Sequence, residues 1–339
     1  MFNIKILDCT LRDGGYINEW SFGTEKAQII VELLQKAGID YIEVGFLTAE
    51  KSKCNQTLYD SFEKIKTFLP KSYDKKRLFG MITYGKFPLE LVPDAENSCV
   101  EGIRVIFKKN QRERALKYCE EIKAKGYKLF INPTFTNQYS DEELFNLVKE
   151  IQKIKPYGIS IVDSMGIMKE KDLLRLYYII DNNLSSDIAI CFHSHNNLQL
   201  SFSNAQCLMK VCNSRELIID STVFGMGRGA GNLCTELITQ YINDNYKGIY
   251  DIVPVLKIVD EHINPIFAKT PWGYSVPYYL AATNHCHPDY AKYLVDKKTV
   301  PVEIINELLK VIPEDKKSEY DINLIERIYL DNLLVNIND

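Results

Sequence analysis

Short apolar runs alternate with amphipathic stretches along the first ~240 residues, and that alternation organises the chain. IKIL at the start predicts a strand from residue 4 that breaks at Gly14-Gly15. Residues 24–37 (TEKAQIIVELLQKA) have helical apolar spacing, a threonine at the cap position and Gly38 as a stop. Strands are then predicted over 40–46, 77–83, 102–107, 127–132, 158–162, 187–192 and 216–222. Helices are predicted over 112–125, 141–154, 169–180 and 198–211, with a last one starting near Asn232. Strands separated by helices pair in parallel, since each helix carries the chain back across the sheet. Eight such units in ~240 residues match a closed (β/α)8 barrel, with a doubly wound open sheet as the alternative. Past residue 250 the repeat stops, and helical stretches flank the aromatic segment PWGYSVPYYLAA. We therefore expect an α/β TIM-barrel catalytic domain over 1–248 and a smaller, mostly helical C-terminal domain over 249–339.

The 339 residues, 46% hydrophobic with a formal charge of −4, describe an ordinary globular protein and give no basic balance for nucleic acid. No apolar run reaches the length of a membrane span and no signal-peptide pattern opens the chain, so we expect no membrane partner and a cytoplasmic location. The nine cysteines are scattered, without C-x-x-C spacing. They read as buried, reduced thiols, not as a disulfide framework or a cysteine metal site.

A closed barrel demands that reactive residues gather at the C-terminal ends of its strands. Asp8, Arg12 and Asp13 follow strand one and Glu43 lies near the end of strand two. Asn132 and Thr134 follow strand five, and Asp163 and Ser164 strand six. His193 and His195 stand at the end of strand seven, and GMGRGAGN (225–232) follows strand eight. Residues two apart on a strand face one side, so His193 and His195 present both imidazoles together. An isolated pair of this kind also reads as core histidines. With Asp13 across the barrel mouth, the pair becomes a two-histidine, one-carboxylate set with open positions. Nitrogen and oxygen donors without thiolate suit Mn²⁺, Mg²⁺, Co²⁺, Fe²⁺ or Zn²⁺, and we expect Mn²⁺. Such an ion chelates a 2-oxo acid and polarises its carbonyl. Arg12 would stabilise the enolate oxygen, or would pair with Glu43, and the two roles are compatible. The glycine-rich loop matches neither a P-loop nor a dinucleotide fingerprint. Its glycines allow close approach to the ion, with Asn232 as an added oxygen ligand. Cys191 shares the histidines' parity and reads as packing. His285 and His287, in the helical tail, read as an incidental pair.

Taken together, Arg12-Asp13, Glu43, His193-x-His195 and GxGxxxGN resemble the DRE-TIM metallolyases, over about residues 4–240. That family includes the hydroxymethylglutaryl-CoA lyases, the isopropylmalate and homocitrate synthases and the 4-hydroxy-2-oxovalerate aldolases. The resemblance implies a TIM barrel holding a divalent metal on Asp13, His193 and His195. GYSVPYY (273–279) is similar to the aldolase branch, where a C-terminal tyrosine serves as acid/base, so Tyr274 or Tyr278 is the candidate. Trp272, Tyr274, Tyr278 and Tyr279 also read as an aromatic packing seam. DSMG (163–166) matches the aldolase turn that contacts the substrate carboxylate through Ser164, and Thr134 joins it as a substrate-binding residue. Where the aldolase motif continues to histidine and the synthase motif to glutamine, this chain has Tyr16, which enters the catalytic set beside Arg12 and Glu43. The lyases' loop cysteine is absent from 225–232.

We therefore expect a metal-dependent aldolase that makes or breaks a C–C bond next to a 2-oxo acid, on a substrate other than 4-hydroxy-2-oxovalerate. Its small-molecule partners would be a 2-oxo acid and an aldehyde or hydroxy acid. The alternatives are an acyl-CoA-dependent Claisen synthase and a non-catalytic barrel. The resemblance also implies a homodimer and raises an aldehyde dehydrogenase as a product-accepting partner.

Overall fold

The computed structural model describes residues 3–246 and 249–338. Eight parallel strands form the barrel: β1 (Ile4–Asp8), β2 (Tyr41–Leu47), β3 (Leu78–Thr83), β4 (Gly102–Phe107), β5 (Lys128–Pro133), β6 (Gly158–Asp163), β7 (Ala189–Ser194) and β8 (Leu217–Ser221). Each pairs with the next, β8 pairs with β1 through Ile4 opposite Leu217, and β1 pairs with β2 through Leu7 opposite Tyr41, which closes the ring. The expected TIM barrel is present, and the open sheet is excluded by the β1–β2 pairing.

Helices cover the outside for reasons visible in the sequence. Asp141–Ile154 starts on a reciprocal cap: the Ser140 hydroxyl accepts from the Glu143 N–H, and the Glu143 carboxylate accepts from the Ser140 N–H. Its buried side chains, Leu144, Leu147, Val148, Ile151 and Ile154, recur at helical spacing and face the sheet. Each contributes about 1.5–3 kcal/mol by leaving water. The β3–β4 crossover instead carries short 3-10 turns at Leu89–Leu91 and Ala95–Asn97. An unexpected two-residue strand, Leu58–Tyr59, adds to β2.

Inside the barrel, large rings alternate with small residues. Phe79 and Phe130 fill the floor with Leu7, Tyr41, Cys191 and Ile218. Glycines sit opposite them: a Cβ on Gly102 would lie 2.0 Å from Phe79, and one on Gly158 3.0 Å from Phe130. Cys191 is thus packing, as expected. The mouth is polar. The β2 register slips between Glu43 and Phe46, where Gly45 has φ of +152° and a Cβ would lie 2.2 Å from the Thr57 carbonyl oxygen. That irregularity needs glycine.

The division expected at 248/249 adjoins residues 247–248, which lie outside the described residues. Packing divides further along. Tyr250, Val255, Ile258, Ile263 and Trp272 belong to the core shared with the barrel helices. A separate core, including Ala281, Tyr290, Leu294, Leu308 and Ile325, is built by helices Val276–Thr283, Pro288–Asp296, Val302–Lys310 and Ile322–Asn338. A helical C-terminal portion is therefore present. Among the described residues no helix is long and apolar enough to cross a membrane.

Candidate active site

Strand ends deliver the polar residues to one place. After β1 the chain turns tightly, with the Arg12 and Asp13 N–H groups both donating to the Cys9 carbonyl, which aims the two side chains into the mouth. Arg12 is fixed at both sides of its fork: Nε donates to Glu43 Oε2 and Nη1 to Asp13 Oδ1, each at 2.6 Å. The expected pairing of Arg12 with Glu43 is present. Glu43 spends its other oxygen on Arg104, whose Nη1 lies at 3.4 Å and whose Nη2 donates to Asp220 Oδ2 at 2.5 Å. Arg104 and Glu43 have no exposure at all.

Asp13 Oδ2 lies 3.7 Å from His193 Nε2 and 3.9 Å from His195 Nε2, and the three donor atoms fall within 4.8 Å of one another. His193 Nδ1 lies 3.0 Å from Asp220 Oδ2. A carboxylate only accepts, so the imidazole proton sits on Nδ1 and the Nε2 lone pair is left for the cluster. Burial raises Asp13, but Arg12 and then the two imidazoles outweigh it and hold the carboxyl well below its usual range. Burial pushes His195 down to about 3, against the pull of Asp13. An ionised Asp13 and a neutral His195 are the protonation states that bind a divalent ion. Asn232 donates Nδ2–H to Asp13 Oδ2 at 2.6 Å, while its own Oδ1 is buried with no partner. A buried orphaned acceptor on a residue that touches Asp13 is available as a further oxygen donor, and the donor set fits a divalent metal. A second grouping, Cys9, His193 and Asp220, is a weaker site. Burial holds Cys9 as a thiol, and Asp220 is committed to Arg104.

A cavity of about 120 Å³ opens beside the cluster, lined by Arg12, Asp13, Tyr16, Thr134, Ser164 and both histidines, among others. The Ser164 hydroxyl accepts from the Phe135 N–H at 2.9 Å, which leaves its own proton free to donate into the cavity. Thr134 donates its proton to the Phe107 carbonyl at 3.1 Å, so only lone pairs remain toward a ligand. Asp163, raised by burial to about 6, accepts from the Ile167 and Met168 N–H groups and pins the DSMG turn.

The two C-terminal tyrosines part company. Tyr278 lines a neighbouring cleft of about 350 Å³ that shares Tyr16 and Arg228 with the inner cavity. Tyr274 is 59% exposed and lines neither space. The tyrosine that faces the cluster cavity is Tyr16. Trp272, by contrast, is buried and donates to the Phe224 carbonyl at 3.0 Å, pinning the tail over the glycine-rich loop.

The sequence pattern alone assigns no role to Arg104, Asp220 or Arg228. Arg104 and Asp220 carried a legible signal, each being a charge at inward parity in an otherwise apolar strand. His287, set aside as incidental, is buried and receives a hydrogen bond from Arg228. Its neighbour His285 sits apart at a left-handed position, φ 58°.

Comparison with known proteins places this geometry in a lineage. The chain is 24% identical over 276 residues to an oxaloacetate decarboxylase of Mycobacterium tuberculosis, covering 80% of this chain and 79% of that protein. It is 24% identical over 260 residues to a 4-hydroxy-2-oxovalerate aldolase of Geobacillus genomosp. 3, covering 76% and 75%. Among solved structures it resembles the N-terminal domain of a Bacteroides vulgatus protein assigned as an aldolase, with a TM-score of 0.72 and 27% identity over 89% of this chain and 99% of that one. A family profile, HMGL-like, matches residues 3–75 and 102–255, and with it more than half of the chain. The chain belongs to the HMGL-like family.

Proposed function

We propose that this protein is a divalent-metal-dependent carbon–carbon lyase that cleaves or forms the bond next to the carbonyl of a 2-oxo acid. The observation that carries it is the convergence of Asp13, His193 and His195 beside an Arg12 clamped between two carboxylates. Asp13, His193, His195 and Asn232 Oδ1 would hold the ion, which supplies Lewis-acid polarisation of the carbonyl. Arg12, unable to lose its proton or swing, presents fixed N–H donors to the oxygen that gains charge as the bond breaks. Glu43 positions Arg12 through one oxygen and Arg104 through the other. The Ser164 hydroxyl binds the substrate carboxylate, with Thr134 as cavity wall. Tyr16, which lines the cavity, would give a proton to, or take one from, the enolate carbon of the 2-oxo acid, and Tyr278 would meet whatever extends into the outer cleft. An inner cavity of about 120 Å³ suits a small acid.

The proposal extends to Mn²⁺ as the ion, a substrate other than 4-hydroxy-2-oxovalerate, a homodimer and a cytoplasmic location, which the nine free cysteines support. An aldehyde dehydrogenase partner would follow if the product is a reactive aldehyde. The test is metal content by mass spectrometry beside deuterium exchange of the pyruvate methyl protons, with and without Mn²⁺. Metal-stimulated exchange is expected. Protein that takes up no divalent ion under any condition refutes the site.

A further inference from the structure

Arg228 lies where the inner cavity meets the outer cleft and lines both. Its guanidinium carbon sits 4.1 Å from the centre of the Tyr16 ring, and Nη1 donates to His287 Nε2 at 2.7 Å. A guanidinium cannot accept, so His287 Nε2 receives with its lone pair, while Nδ1 faces the Asp289 N–H at 3.2 Å and caps the helix that follows. Burial, then Arg228 itself, pushes His287 down to about 3, which keeps the imidazole neutral. Arg228 is therefore held by a ring face and an uncharged nitrogen. Its buried counterparts are held differently: Arg12 by Glu43 and Asp13, Arg104 by Glu43 and Asp220, Arg215 by Asp181. Among the described residues no carboxylate lies within ion-pair distance of Arg228.

The loop that presents it is fixed. Asn197 Oδ1 accepts from the Ala230 N–H at 2.8 Å, and Gly229 (φ +65°) runs so close that a Cβ would lie 2.6 Å from that oxygen. A fixed cationic fork with no carboxylate in ion-pair contact, on the inner side of a cleft whose Asp289 and Asp296 lie farther out, at the rim of a pocket that already orients one carboxylate, is a receptor for a second one. We propose that Arg228 binds a distal carboxylate and that the substrates are 2-oxo diacids, with the oxo-acid head at Arg12 and the histidines and the tail beside Tyr16. This rests on, and narrows, the function proposed above. Carboxylate is the matching group because Nη1 is occupied and the remaining edge of the fork is a planar two-point donor.

The test uses Mn²⁺-loaded protein and length-matched pairs: 2-oxoglutarate against 2-oxovalerate, and 2-oxoadipate against 2-oxohexanoate. Binding is followed by calorimetry and C3 proton exchange by NMR. In at least one pair the diacid should bind about 10- to 100-fold more tightly, the range of a hydrogen bond to a charged group. Arg228→Gln should erase that preference and leave monoacid affinity within about twofold, while Arg228→Lys, which keeps charge without the fork, retains part of it. If wild-type protein binds both members of each pair equally, or if Arg228→Gln weakens both alike while lowering the melting temperature, Arg228 only clamps the helical region to the barrel and the inference is overturned. If neither acid of either pair binds, the 2-oxo acid reading fails and takes the subsite with it.

Discussion

Asp220→Asn separates two jobs that one oxygen performs. Oδ2 accepts from Arg104 Nη2 at 2.5 Å and from His193 Nδ1 at 3.0 Å. The substitution preserves shape and removes charge. For stability, breaking one partner of a buried ion pair costs about 3–5 kcal/mol. Arg104 keeps Glu43 at 3.4 Å, so the lower end applies, about 3 kcal/mol. A chain of 339 residues unfolds with an entropy of ~2.1 cal/mol/K per residue, which makes that loss about 4 °C in Tm. For metal affinity, losing the carboxylate behind a ligating imidazole typically costs ~10–100-fold, or ~1.4–2.8 kcal/mol. Calorimetry on metal-free protein reads the first effect and competition with a chelating fluorophore the second. Nitrogen NMR of His193 reports whether the proton stays on Nδ1. A Tm that falls while metal affinity holds within about twofold and the tautomer persists would refute the reasoning. Asp220 would then serve Arg104 alone.

Arg12→Ala should leave metal stoichiometry intact and lower pyruvate exchange by ~10²–10³, the range for a lost oxyanion donor. Full exchange in that variant would remove Arg12 from the chemistry. Tyr16→Phe should slow exchange by ~10² or more if its hydroxyl moves the proton. Tyr274→Phe, at an exposed position, should change exchange by less than about twofold, and steady-state kinetics on both variants separates the two tyrosines. His287 has a folded-state pKa pushed to about 3, below the ~6.5 of an unfolded histidine. Between these values the unfolded chain binds a proton that the folded chain does not, so stability falls as pH drops through that window, by up to ~1.4 kcal/mol per unit. His287→Asn should make the fall of urea midpoints from pH 7 to 4 shallower, with the His195 contribution remaining, and a slope parallel to wild type would contradict the assignment.

The barrel was legible because it is periodic: eight apolar runs with helices between most of them fix the count, and the count fixes where reactive residues emerge. Strand boundaries moved by a residue or two, as with β7, expected over 187–192 and found at Ala189–Ser194. The cluster of Asp13, His193 and His195 was legible because barrel geometry converts strand ends into one location. Arg104 and Asp220 were passed over because each is a single charge inside a run such as GIRVIF or LIID, where hydrophobic pattern dominates and only inward parity marks it. Arg228 and His287 were out of reach in a stronger sense. Their contact joins residues 59 apart in different parts of the fold, and no periodicity encodes how the C-terminal helices settle on the mouth. The same blindness applies to Tyr274 and Tyr278, which share a segment but part at the start of helix Val276–Thr283: Tyr274 lies before it and Tyr278 within it.

Tracing the buried contacts around the mouth returns to the starting point. His193 Nδ1 meets Asp220, Asp220 meets Arg104, Arg104 meets Glu43, Glu43 meets Arg12, Arg12 meets Asp13, and Asp13 Oδ2 lies 3.7 Å from His193 Nε2. Two guanidiniums and three carboxylates leave this ring with one net negative charge, in a site where burial works against every charge it holds. A divalent ion on the Asp13 face would reverse that sign and make the pocket attractive to an anionic acid. Because the ring is continuous, the guanidinium facing the reacting oxygen and the imidazole facing the ion share their supports, and neither shifts without the other. Its members come from the turn after β1 and from β2, β4, β7 and β8. In a doubly wound open sheet the first and last of these strands would not all be neighbours, so the ring exists only because β1 pairs on one side with β2 and on the other with β8. Closure of the barrel is what assembles the charge.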